Sequence, residues 1–455
     1  MKKRTLALAM TALLCALCAF PAFGLGGVTD TQTPRQADEA RLKWSYRLKS
    51  ADDWGTNVSD PVLIGDNVFV AVGSELLKLS GGELADKTEL TGPIDFTCRP
   101  LAQNGTIYIP LSEGRLQAID AATLQSKWVT NALPEVECSY TDYDGGWNPI
   151  TVTANLPHQS QTTLTSSGGL LYFGTACADW VASYHGVFLC VDSSGSEKWR
   201  YTNTDAGYYW SGAAFYGGAV IFAGDDGILT SLNKTTGAAI DTINLGAPVR
   251  STIVVDGTYA FAAARDGALH KIALNADGSF GAKTGVSFAA DSTSTPAIAG
   301  GKACVGGTAA GYSGVLAVIG ITGMTLEKSV PAPAPVQASP LVSTAYGTPY
   351  VYYTANAEPG ALYVCDGTAA SALFTPAAAD QNYCMSSVAA GGDGTLYYTN
   401  DSGKLFAIEK KADEPAGHTW LDKLPDWLSF IRGWKPWLQT VVYYVFFGWV
   451  WEFRQ

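Results

Sequence analysis

Eight times along the chain the same short pattern returns, and no other feature limits the possible folds as strongly. Each copy runs from a small or Pro anchor through an apolar stretch, a Gly/Asp/Asn turn, an apolar strand, a second Gly turn and another strand. DPVLIGDNVFVAVGSELLKL from Asp60 and RPLAQNGTIYIPLSEGRLQAID from Arg99 are the first two. TTLTSSGGLLYFG from Thr162 is the third, with its partner strand GVFLCVD delayed to Gly186. The others start at Gly212, Ser251, Thr295, Ser339 and Ser386. A fixed period of this kind is the mark of a repeat architecture and has to be read before any local motif.

Alternating β-branched and aromatic residues, punctuated by Gly, Asp and Asn, predict strands joined by tight turns. A four-stranded sheet built from so few residues cannot bury both faces alone. Stacked radially, each sheet covers its neighbour, so the expected fold is all-β, an eight-bladed β-propeller. The anchors Pro61, Pro100, Gly212, Pro296 and Pro340 suit the inner strands, where blades crowd the axis. One segment has no unit of its own. RLKWSYRL (41–48) looks like the outer strand that ends QSKWVTN (125–131) and SEKWRYT (196–202), yet nothing repeat-like precedes it. The eighth copy ends at LFAIEKK (405–411) without an outer strand. The N-terminal strand therefore closes the last blade and removes two exposed sheet edges.

AIDAATLQSKW (118–128) resembles the tryptophan-docking repeat of pyrroloquinoline-quinone-like (PQQ-like) propellers. Ala118, Asp120, Thr123 and Trp128 match that repeat, while Leu124 and Gln125 replace its Gly-Lys. CVDSSGSEKW (190–199) keeps Asp192, Gly195 and Trp199, and SLNKTTGAAID (231–241) has Asp241 where Trp would stand. The resemblance implies either a quinone-dependent dehydrogenase or a binding and assembly scaffold without a cofactor. The dehydrogenases commonly carry an adjacent Cys-Cys disulfide against the quinone, a Glu/Asn/Asp set for calcium and an Asp base. No two cysteines are neighbours here, and no segment matches the calcium ligands or the base. The nucleophile-elbow, HExxH and phosphate-loop patterns are also missing from the sequence. Asp225 and Asp226, in AGDDG, read as turn residues. The expectation is a non-catalytic scaffold with no catalytic residue, no cofactor and no metal. PQQ with calcium belongs to the dehydrogenase alternative, and the propeller subunit of the outer-membrane β-barrel assembly machinery is the functional analogy.

The third unit is lengthened by PEVECSYTDYDGGWNPITVTANLPHQS (134–160) and by ADWVASYHG (178–186). Long loops on a rigid scaffold are where binding residues gather. Tyr140, Tyr143, Trp147, Trp180 and Tyr184 offer flat faces to a glycan or other ligand, with YYW at 208–210 a possible neighbour. Asp142 and Asp144 resemble the opening of a calcium loop, but later ligands at loop spacing are missing. The alternative is that the loop caps the blade with its aromatics packed beneath it.

The ends and the charge set the compartment. MKKR, the apolar TLALAMTALLCALCAF and Ala22-Phe23-Gly24 read as a signal peptide over 1–24, followed by a polar spacer over 25–40. Removing its three positive charges from a net −12 leaves −15, a surface that disfavours nucleic acid. Seven cysteines remain. Export permits disulfides, and Cys177 with Cys190 or Cys365 with Cys384 are local candidates, buried free thiols being the alternative. The propeller is expected over 41–411 and a linker over 412–419. A helical tail over 420–455 holds six of the thirteen Trp. Leu438 to Phe453 is apolar almost all round, but sixteen residues make only ~24 Å of helix against a ~30 Å hydrocarbon core. Trp434, Trp437, Tyr443, Tyr444, Phe446, Phe447, Trp449 and Trp451 suit the headgroup level or a protein surface. The whole reads as an exported propeller held at the outer side of a membrane, binding a protein partner or a glycan.

Overall fold

The computed structural model describes residues 27–144, 148–178 and 182–412, together with Trp434, Trp437 and Leu438. The chain divides after Glu409 into two compact units. The first is an eight-bladed β-propeller in which eight antiparallel sheets of four main strands follow one another. Blades 1 to 8 begin at Val62–Ile64, Leu101–Gln103, Thr165–Ser167, Ala214–Tyr216, Val254–Asp256, Ala297–Ala299, Leu341–Ser343 and Ala389–Ala390. All eight sequence repeats become blades. Among the described residues of this unit there is no α-helix, and no described helix is long and apolar enough to cross a membrane.

Packing follows from the alternation. The second strand of blade 4, Ala219–Ala223, is buried throughout, and its Phe222 stacks on Phe188 of blade 3 with ring centroids 3.9 Å apart. Apolar clusters fill each space between blades, as with Ile221, Leu245, Val249 and Ile272 between blades 4 and 5. Around the axis the lock is polar. Ser59, Thr162, Ser251 and Ser294 each accept the backbone N–H of the residue twelve positions on, which ties the segment before the first strand to the second strand. A chain of contacts then passes from blade to blade through Thr163, Thr252, Thr295, Ser339 and Ser387. The crowding expected of the anchors is real at Gly212, where a Cβ would lie 2.7 Å from both Thr163 and Thr252.

Ala40–Arg47 pairs with Lys404–Lys410 and completes blade 8. Arg41 with Glu409 at 2.6 Å and Lys43 with Asp393 at 2.7 Å flank the closure. Trp44 stacks near Tyr397 and covers Gly82 in the next blade, where a Cβ would meet the indole at 2.7 Å. Trp128 does the same to Gly195, and Trp199 to Gly237. Their indole N–H groups donate to Ser193 and Lys234 carbonyls. Where Asp241 replaces the Trp, its carboxylate instead accepts the Phe280 N–H of blade 5 at 2.8 Å. The three Lys-Trp segments therefore share one role, linking an outer strand to the neighbouring blade.

The expected polar spacer does more than connect. Val28–Thr29 adds a parallel strand to Leu341–Ser343 of blade 7. The hydroxyl of Tyr352 donates to the Pro34 carbonyl and that of Tyr346 to the Thr33 carbonyl. A two-residue strand has no period to read, so the sequence gives no sign of this pairing. The signal-peptide segment 1–24 and most of the tail, including Tyr443, Tyr444, Phe446, Phe447, Trp449 and Trp451, lie outside the described residues. Trp434 and Trp437 are described and exposed.

Candidate docking face on the third blade

In an antiparallel blade, the turn between strands two and three and the connection to the next blade leave from the same end of the sheet. Both insertions of the third unit therefore emerge on one face. The first is not an open loop but a β-hairpin, Val136–Tyr143 paired with Pro149–Leu156 through eight residues. The β-branched run Ile150-Thr151-Val152-Thr153, apolar and polar in turn, explains why. The second lengthens the third strand of blade 3 to Ser183–Asp192, and Cys177–Ala178 pairs with the extension. The insertions meet where Tyr140 stacks on Tyr184, ring centroids 5.6 Å apart.

Tyr143 stands out from the hairpin, 44% exposed. Asp144 accepts the backbone N–H and the side-chain amide of Asn148, and so closes the hairpin end. Asp142 accepts the Tyr143 N–H. These two carboxylates thus hold hairpin and strand geometry. Trp147 and Trp180 lie outside the described residues. In YYW, Tyr208 belongs to the core beside Phe188 and Phe222, whereas Tyr209 lies under the Arg250 guanidinium at 4.4 Å.

Beneath the hairpin, residues spread over almost fifty positions converge. The rings of His158 and His185 meet edge to face at 5.6 Å. Donor atoms of His158, Cys177 and His185 lie within 4.8 Å of one another, and the Cys138 thiol is close enough to perturb that of Cys177. Burial, helped by its neighbour imidazole, pushes His158 down to about 4, and burial lowers His185. Burial also pushes the Cys177 thiol up to about 12. Histidines that look scattered in the sequence are neighbours, because a strand extension folds back over the connection that precedes blade 3.

Two polar groupings sit on the same face toward the axis. Asp225, a turn residue by its sequence, is half-buried, with its side chain only 8% exposed. It accepts two hydrogen bonds from Arg250, at 2.9 and 2.8 Å, and one from Ser183. Asp226 keeps the turn role, accepting the Ile228 N–H and the Asn203 amide. Arg99 reaches past blade 3 to donate to the Trp210 carbonyl at 3.0 Å, with Asp60 3.8 Å away. Burial pushes the Asp60 carboxyl up to about 6 against the pull of Arg99. The cleft beside them, bounded by Lys49, Trp54, Thr97 and Asn400, holds about 140 Å³. Pockets for small organic ligands start at roughly 300 Å³. The cleft contains the Asp60 and Asp401 carboxyls beside Arg99, and no cysteine lines it.

The cysteines do not pair as the sequence spacing suggests; all seven described thiols are free and buried. Cys177 lies opposite His185, five residues along the same strand from Cys190, or ~16 Å at ~3.3 Å per residue. A disulfide needs Cα atoms within ~7 Å. Cys365 packs toward blade 6 beside Cys304, whereas Cys384 packs in the core shared by blades 7 and 8, so blade 7 separates the second candidate pair.

Comparison with known proteins adds family and fold. A family model described as outer membrane protein assembly factor BamB matches residues 184–416, just over half of the chain. BamB from Moraxella catarrhalis is similar in structure with a TM-score of 0.55 and 15% identity, over 81% of this chain and 99% of that one. The quinohemoprotein alcohol dehydrogenase ADHIIG from Pseudomonas putida HK5 gives a TM-score of 0.61 at 12% identity, covering 86% and 80%. The corresponding enzyme from Comamonas testosteroni gives 0.60 at 12%, covering 85% and 80%. No curated protein matches in sequence. At these identities the structures share the PQQ-like propeller fold.

Proposed function

The chain belongs to the family of the outer membrane protein assembly factor BamB, and from that premise we propose that it is an exported binding and assembly scaffold. Its docking face is the one built by the insertions of blade 3. The observation that carries this reading is the hairpin Val136–Leu156, a two-stranded sheet that pairs with no third strand among the described residues. An unpaired strand edge offers a row of backbone N–H and C=O groups to an extended polypeptide, which adds as a further strand. Glu135, Glu137, Asp142 and Asp144 give the hairpin acidic character, so a neutral-to-basic segment of a partner protein is the occupant its charge favours. Tyr140 and Tyr184 present their facing rings to each other, which leaves less free ring surface for a sugar. The aromatic tail would keep the scaffold at a membrane surface or dock it on a second protein.

A photo-crosslinking amino acid in place of Tyr184, which faces the hairpin from the blade-3 extension and stays in the chain when the hairpin is removed, tests the reading in intact cells. The expected result is one recurrent protein adduct. The adduct disappears when the hairpin is replaced by a short turn, while the melting temperature of the propeller stays within a few degrees. Identical adducts from both forms would overturn the docking face. Dye reduction by purified protein given PQQ, calcium and an alcohol would replace the scaffold by the dehydrogenase alternative. A parallel form lacking residues 412–455 reads the tail: unchanged membrane association would remove its anchoring role.

A further inference from the structure

We propose that His158, Cys177 and His185 form a zinc site at the base of the blade-3 hairpin. One donor atom from each lies within 4.8 Å of the other two. In a tetrahedral zinc site with bonds of ~2.0–2.3 Å, donor atoms sit roughly 3.5 Å apart, so a contraction of about 1 Å would close the set. Two imidazoles and a thiolate form a borderline-soft set that favours zinc over calcium or magnesium, which take oxygen ligands.

Independent features point the same way. The Nδ1 atom of His185 is buried with no hydrogen-bond partner, an arrangement that native interiors rarely leave without a reason. His158 is already oriented from behind. Its Nδ1 is 2.7 Å from the Thr175 hydroxyl, and that hydroxyl donates to the Val187 carbonyl. With Nδ1 occupied by the hydroxyl, which also accepts the Val187 N–H, Nε2 is the nitrogen left to coordinate. Buttressing of a histidine ligand through its other ring nitrogen is usual in metal sites. Cys138 lies outside this 4.8 Å group but beside Cys177, and it is the residue placed to move in as a fourth donor. Two of the four histidines in the chain meet here.

The ligands come from three segments. Cys138 is on the hairpin, His158 on the connection that leaves it, and Cys177 and His185 face each other across the extension of blade 3. Coordination would thus join the hairpin to the blade, whatever partner the hairpin binds. Zinc would release the Cys177 proton to solvent as the thiolate forms, with no change of oxidation state.

The test uses the full-length protein, reduced, stripped with a chelator, and titrated with Co²⁺ and then Zn²⁺. We expect one equivalent of Co²⁺ with a thiolate-to-metal charge-transfer band and a tetrahedral d–d envelope, both displaced by Zn²⁺. Cys177→Ser and His185→Gln should each weaken binding at least tenfold, Thr175→Val about tenfold, and His270→Gln in blade 5 not at all. A measurement on the unaltered protein avoids any folding defect of the variants: Zn²⁺ should protect Cys138 and Cys177 from alkylation, and chelation should abolish the protection. Binding without a thiolate band would overturn the site, as would equal competition by Ca²⁺. So would a Cys138–Cys177 disulfide in metal-free protein that reduction does not convert to a binding form.

Discussion

Blades 3 and 5 begin from the same repeat and end with different uses for it. In blade 5 the turn between the second and third strands is only residues 264–267, and Gly267 sits so close to the Ala289 carbonyl that a Cβ would clash at 2.0 Å. Nothing there projects. In blade 3 the corresponding turn carries an extra strand and a ten-residue third strand, and a hairpin precedes it. The regular blade closes the ring; the irregular one builds a surface on it. In a radial repeat the residues free to build such a surface are found where the period fails, since the rest of the chain is committed to covering its neighbours.

The contrast can be measured. Phe222→Ala, at the fully buried stack on Phe188, should cost about 4 kcal/mol in unfolding free energy by denaturant titration. Tyr140→Ala, on the hairpin, should cost less than about 1 kcal/mol yet weaken partner crosslinking at least tenfold. A large stability loss at Tyr140 would make the hairpin a structural cap instead. Asp60 gives a pH signature confined to the axis. Its pKa is about 6 in the folded chain against 3.8 unfolded, so the folded state binds more protons between those values. Stability should rise by about 3 kcal/mol as pH falls from above 6 to below 4, and the penalty should return as pH rises. Because Asp95 and Asp401 are also raised by burial, the difference between wild type and Asp60→Asn is the quantity to read. The smallest effect is expected at the docking tryptophans. Trp128→Phe keeps the ring over Gly195 but loses the 2.8 Å bond to the Ser193 carbonyl, for about 1 kcal/mol.

Much of the ring is legible in the sequence alone. Strand period, turn glycines and the orphan RLKWSYRL specify eight blades and their closure, because each rule is local and repeats. The aromatic meeting of the two insertions is legible as a possibility only. The hairpin reads as a loop in sequence because its length, rather than its alternation, draws attention. Cysteine spacing misleads most. Nearness in sequence puts Cys177 with Cys190, while an extended strand carries neighbours apart at ~3.3 Å per residue.

Sequence alone decided the fold class, the number of blades, the closing strand and the place where the period is interrupted. These follow from hydrophobic alternation and turn chemistry, which act over a few residues. The tertiary structure alone decided that His158, Cys177 and His185 meet, that Asp225 anchors Arg250, and that Arg99 reaches past a whole blade to Trp210. Such meetings depend on the register of strands far apart in the chain, and no local periodicity encodes that register.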